Sequence, residues 1–190
     1  DRTYTHAAYL GFPEGVAVVL DLNTGALLRW WRGGFLDVHP MWSDRAYDQR
    51  ARELGALRKM PPVLPFVPGP PETVALQAAG PSDRPEGYHG YTITDSTVEI
   101  DHPAFSQHWA VARRGTAPVL TRTVRATEAG WVVLVHAEEI RAVAPGSFDI
   151  GGQYYVEVEQ PAEIVAGADG GSTLQVYLSA GTVATSTYIW

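Results

Sequence analysis

Six histidines, His6, His39, His89, His102, His108 and His136, are the first groups in this sequence whose type could do chemistry. No two of them stand four apart, as on the metal-binding helix of a zinc protease. Only His102 and His108 are close neighbours, with Asp101 beside them, and a strand or bend would have to bring the three together. A catalytic metal needs convergent donors and a second layer of hydrogen bonds that orients them, so no metal ligand is assigned. Glycoside chemistry needs two carboxylates facing each other about 5–10 Å apart. Glu138 and Glu139 are adjacent, so in a strand they point to opposite faces, and nothing singles out Asp37, Asp44 or Asp101. The chain has no G-x-S-x-G elbow, phosphate loop or dinucleotide glycine fingerprint. The run Ala168-Asp169-Gly170-Gly171-Ser172 faintly resembles a calcium turn, lacks the repeat such sites are built on, and reads as a plain hairpin loop. The expectation is a protein without catalytic residues, and not an enzyme.

Aromatic side chains offer a second kind of chemistry. Trp30, Trp31, Trp42, Trp109, Trp131 and Trp190, with nine tyrosines, could furnish a platform on which a sugar stacks. Trp30 and Trp31 are adjacent, so a strand sends them to opposite faces. One belongs in a core; the other is exposed, or covered by a partner, a helix or another arm of the chain.

The elements that must position these residues are nearly all strands. Residues 16–22 and 26–32 are apolar runs on either side of Asn23-Thr24-Gly25, and this reads as a β-hairpin because Asn and Gly tolerate the positive φ of tight turns. Residues 1–14 read as an entering strand. Gly33-Gly34 permits a sharp bend before Phe35-Leu36-Asp37. Residues 40–72 form a Pro-rich excursion without strand period. In it, residues 46–60 have the apolar spacing of one short helix, and the prolines from 61 to 71 favour extended polyproline and exclude a central strand. Strands are expected again at 73–76, 88–94, 97–100, 108–112, 118–126, 131–137, 154–160, 163–165, 174–179 and 182–190, with glycine-rich breaks between them. Many short strands and at most one short helix predict an all-β fold, a single antiparallel β-sandwich domain over residues 1–190 with a long Pro-rich arm.

Composition narrows the partners. A formal charge of -7 argues against nucleic acid and against an anionic membrane surface. All the basic residues except Lys59 are arginine, which allows some two-pronged contacts with carboxylates. With no cysteine, the chain can form neither a disulfide nor a thiolate metal site, and it cannot attach a c-type haem. No apolar run has the length of a membrane span. No signal peptide is expected in these residues, and Asp1 in place of Met is expected to mark a processed or trimmed start.

The segment Trp31-Arg32-Gly33-Gly34-Phe35-Leu36-Asp37, followed by Trp42-Ser43-Asp44-Arg45, resembles the W-x-G-x-F-L-D and W-x-x-R motifs of a β-sandwich domain. That domain occurs in large secreted cytochrome c proteins of planctomycetes, verrucomicrobia and related bacteria, often beside sorbosone-dehydrogenase-like modules. Tyr88-His89-Gly90-Tyr91-Thr92-Ile93 is similar to its G-Y strand, Leu120-Thr121-Arg122 to its L-x-R strand, and Tyr188-Ile189-Trp190 to its terminal Y-x-W. The family's P-T-F segment is altered here, since Pro103-Ala104-Phe105 falls in a different context. The resemblance implies a periplasmic or extracellular accessory subunit of an electron-transfer complex, with no cofactor of its own. It also implies a haem-bearing cytochrome c or dehydrogenase subunit as partner, the haem c belonging to that chain. The alternative class is a carbohydrate-binding or carbohydrate-active β-sandwich. The structural or interaction residues expected are Trp30, Trp31, Asp37, Trp42 and Arg45. Of these, Trp31, Asp37, Trp42 and Arg45 are expected to cluster and lock the opening hairpin to the arm, Arg45 stacking on an indole and bonding Asp37.

Overall fold

The opening hairpin turns at a carboxylate. Asp21 is buried, and its Oδ1 accepts the Asn23 N–H at 3.1 Å while its Oδ2 accepts the Thr24 hydroxyl at 2.8 Å. Gly25 then takes a φ of +75°, a conformation that costs residues with a Cβ. These contacts fix the reversal between β2 (Val16–Asp21) and β3 (Leu27–Asp37), which pair antiparallel with Val16 opposite Arg32 and Val18 opposite Trp30. The computed structural model describes residues 6–43, 51–61, 63–72, 89–167 and 169–190. Expected strand 73–76 lies outside the described residues.

The entering strand is β1 (Ala7–Phe12), paired to β2, and α1 (His39–Ser43) is a single short helix after β3. The helix expected over 46–60 is absent from residues 51–60, and residues 46–50 lie outside the described residues. Its described part is a strand, β4 (Arg52–Lys59), which pairs with β3 so that Leu57 lies opposite Trp31. The three-residue spacing of Leu54 and Leu57 looked helical. In the strand it splits the pair, and Leu57 packs near Trp31 while Leu54 stays exposed. Long-range pairing with a Trp-bearing strand outweighs a weak local helical period. The prolines behave as expected of edge residues: β5 (Phe66–Pro68) is three residues long and stands at the end of its sheet.

The remaining strands follow in order: β6 (Gly90–Thr94), β7 (Thr97–Asp101), β8 (Phe105–Arg114), β9 (Ala117–Ala126), β10 (Gly130–Ala137), β11 (Ile140–Ala144), β12 (Ser147–Ile150), β13 (Tyr154–Val158), β14 (Glu163–Ala166), β15 (Ser172–Leu178) and β16 (Val183–Ile189). The β11–β12 hairpin was not expected. Its turn is Pro145-Gly146, with Gly146 at a φ of +70°, and its strands are too short to show a clear period.

The described residues form three antiparallel sheets: two of four strands, in the orders β1-β2-β3-β4 and β14-β15-β10-β5, and one of eight, in the order β11-β12-β13-β16-β9-β8-β7-β6. One core joins all three, with Val18 and Trp30 from the first, Val132 and Leu174 from the second, and Ile100, Trp109, Val156 and Tyr188 from the third. The chain is an all-β sandwich. The arm wraps the outer faces of the two small sheets: Met60 N–H bonds Leu28 O, Val133 N–H bonds Pro65 O, and Leu64 packs against both outer apolar clusters.

Candidate functional site

Trp30 and Trp31 lie on opposite faces of β3, and both are 0% exposed. Trp30 enters the main core, edge-on to Tyr154 with ring centroids 5.1 Å apart. Trp31 lies on the outer face, where Ala17, Val19, Leu36, Leu57 and Leu64 surround it. Its indole N–H donates to Gly34 O at 2.8 Å, and its ring lies parallel to Phe35. The second tryptophan is thus covered by the arm and its own sheet. Asp37 ends β3 and accepts the His39 N–H at 2.9 Å, at the start of α1. Trp42, on α1, is 75% exposed, in contrast with fully buried Trp31. Arg45 lies outside the described residues.

The polar residues that the sandwich does bring together surround Arg122, which is 2% exposed. Its Nε donates to Gln107 Oε1 at 2.8 Å, and one terminal N–H donates to Val133 O at 2.9 Å. Its guanidinium carbon sits 5.4 Å from the centre of the Trp109 ring. Gln107 in turn donates to Gly25 O at 2.9 Å, so the network ties β8, β9, β10 and the opening turn together. Among the described residues Arg122 Nη2 makes no hydrogen bond. Burial lowers the guanidinium pKa, and the neighbouring Tyr188 hydroxyl acts in the opposite direction. Tyr188 itself donates to Leu134 O at 3.1 Å. Arg122 and Gln107 were missed although a signal existed. Period-2 alternation places residue 122 between Leu120 and Val124, and residue 107 between Phe105 and Trp109, on the faces that point inward.

A second polar group has the look of a relay. His136 Nδ1 lies 3.0 Å from Thr173 Oγ1 and its Nε2 lies 2.9 Å from Asp169 Oδ2. A hydrolytic triad needs an accessible hydroxyl and a sheltered acid. Here Thr173 is 1% exposed while the Asp169 side chain is 60% exposed, so no substrate reaches the hydroxyl. Asp169 Oδ1 also accepts the Gly171 N–H at 3.1 Å, and that bond, with the one to His136, holds the carboxyl below the usual aspartate range. The group clasps a hairpin turn to β10. The other two candidate histidines part company: His102 stacks on Phe105, and His108 pairs across the sheet with Glu99. Among the described residues no three His, Asp or Glu side chains are placed to hold a metal.

What stands out instead is exposed apolar surface near β3 and at one margin of the sandwich. Phe35, Val38, Met41 and Trp42 are exposed along the end of β3 and α1, with Leu54 against Gly34. Beside β1 runs a groove of about 440 Å³, lined by Leu10, Phe12, Phe35, Ile93 and Val98 with Asp95 its one charge. Among the described residues no helix is long and apolar enough to cross a membrane. Compared with known proteins, the chain matches no family model, no curated protein and no solved structure.

Proposed function

We propose that this chain is a non-catalytic structural and interaction module of a c-type cytochrome electron-transfer assembly, packing on or covering a haem-bearing cytochrome c or dehydrogenase subunit in the periplasm or outside the cell. The observation that carries the reading is the run Phe35, Val38, Met41 and Trp42, exposed while Trp30, Trp31, Trp109 and Trp131 are buried. A contiguous exposed apolar stretch on a protein that buries most of its tryptophans marks a contact face, and aromatic and Met side chains are what such faces are rich in. The stretch overlaps the motif that resembles the secreted cytochrome family. The haem belongs to the partner, since this chain has no cysteine to attach one.

The carbohydrate-binding alternative loses its main support, because burial withdraws four of the six tryptophans from any sugar platform. The test is an absorption spectrum of the native particle purified through this chain. A Soret band should co-elute with wild type and be lost with Trp42→Asp, while the isolated chain gives no pyridine haemochrome. A particle without haem, or a Soret band indifferent to Trp42, overturns the proposal.

A further inference from the structure

The eight-stranded sheet is wider than the sheet that covers it. On its last strand, β6, Tyr91 lies opposite Ile100 and Ile93 opposite Val98, and cross-strand partners share a face. Ile100 and Val98 are core residues, so Tyr91 and Ile93 point toward the core side. Yet they are 55% and 58% exposed, and Ile93 lines a groove shared with β1, the last strand of one four-stranded sheet. Among the described residues no strand lies in the groove between β1 and the β6–β7 hairpin.

Edge strands invite pairing, and proteins guard them with charge, proline or shortness. β4 carries Arg52, Glu53, Arg58 and Lys59; β5 ends in Pro68; β14 is four residues long and opens on Glu163; β11 carries Arg141. β1 (AAYLGF) and β6 (GYTIT) carry no charge and no proline. Among the described residues these two unguarded edges thus border the same apolar groove.

We propose that this margin is a strand-acceptor site. An extended segment of another polypeptide, apolar at alternate positions, uncharged at its centre and basic at one end, hydrogen-bonds along β1 and lays its side chains on Ile93 and Tyr91. Main-chain pairing with a free edge and alternate side chains in an apolar trough are the two elements of strand addition. Charge selects the occupant. Among the described residues the groove's one acidic or basic side chain is Asp95, and a second copy of this chain would bring a second Asp95 and a further formal charge of -7 to it. A sugar finds few polar partners here, since the described lining is mostly apolar, with Leu10, Phe12, Phe35, Ile93 and Val98. The site goes beyond the haem-partner reading and adjoins that face at Phe35.

The test is selection from a random-peptide display library on the wild-type chain, with Ile93→Asp and Tyr91→Asp as counter-selectors. Both positions are more than half exposed, and matched thermal melts check that the variants fold. Enriched peptides should alternate apolar residues and carry Lys or Arg near one end. Each should slow amide exchange across Ala7–Phe12 and lose about tenfold or more in affinity to Ile93→Asp, and to Asp95→Lys when basic-ended. No enrichment, enrichment that survives both variants, or protection at β4 overturns the proposal. So does a concentration-dependent dimer of the free chain dispersed by Ile93→Asp, which would make the occupant a second copy. Oligosaccharide binding abolished by the same variants would make it a glycan, and overturn the proposal equally.

Discussion

The centre of the sandwich and its β1–β6 margin depart from a simple apolar interior in opposite ways. At the centre, Arg122 is enclosed and held by Gln107, Val133 O and the face of Trp109. At the margin, Ile93 and Tyr91 face the core side and stay wet. A buried polar group that ties its own strand β9 to β8 and β10 is architecture, and its removal should be felt throughout the fold. An apolar side chain left uncovered by the architecture contributes little to folding and is free to meet another molecule. Stability and binding should therefore separate cleanly between the two regions.

The largest effects are expected at the centre. Arg122→Ala removes the donor to Gln107 and Val133 O and opens a cavity, and the loss should be about 3–5 kcal/mol, read by urea denaturation. Arg122→Met keeps most of the volume and removes the buried charge, so it should cost far less: if both variants lose equally, the lost network and not the lost volume is what destabilises the centre. Trp31→Ala should cost about 3–5 kcal/mol as well, because a fully buried indole vanishes from between the small sheet and the arm. Either loss is a large share of a domain stability of about 5–15 kcal/mol.

Gly55→Ala comes next. A Cβ at this position would stand 2.3 Å from Arg32 O and 2.7 Å from the Trp31 ring, so β4 must move away from β3. Overpacking of this kind costs about 1–3 kcal/mol, and a melt that matches wild type would mean β4 is loosely held.

Much of this was legible in the chain. The all-β class, the opening hairpin and the opposite faces of Trp30 and Trp31 all follow from period-2 alternation and from Asn23-Thr24-Gly25, which are local signals. β4 was not legible, because residues 52–59 are charged and glycine-broken, and only pairing with β3 makes them a strand. The Arg122 network was half legible: alternation puts residue 122 inward, but its acceptors come from β8 and β10, at sequence distances no local pattern reports. The margin was not legible at all. That Ile93 lines a groove shared with β1 is a property of three dimensions.

At the margin, stability should barely move. Trp42→Ala and Ile93→Asp remove exposed side chains, and each should shift unfolding by no more than about 0.5 kcal/mol. The same variants should abolish haem-partner and strand binding respectively. A loss of stability comparable to that of Trp31→Ala would erase the distinction, since it would mean that these residues are built into the fold.

The smallest effect tests whether the clasp at Asp169 belongs with the centre or with the margin. The Gly171 N–H and His136 lower its carboxyl pKa in the folded state. A depressed carboxylate contributes stability above its unfolded value, about 3.9, and that contribution is lost as pH falls through the folded value. Asp169→Asn should thus lower the melting temperature slightly near pH 7, and the gap to wild type should close as the pH drops below about 3.9. The Arg114–Glu157 pair, with bonds of 2.7 and 2.5 Å, also titrates in the acid range, but it is present in both proteins and cancels in the difference. The Gly171 amide should exchange faster in the variant, while amides around Arg122 keep their protection. Because Asp169 is mostly exposed, water screens its contacts and the change stays local. A gap that persists unchanged in acid would show that the carboxylate charge is irrelevant to the clasp. A gap as large as that of Arg122→Ala would place the turn in the cooperative core, and the boundary between centre and margin would have to be redrawn.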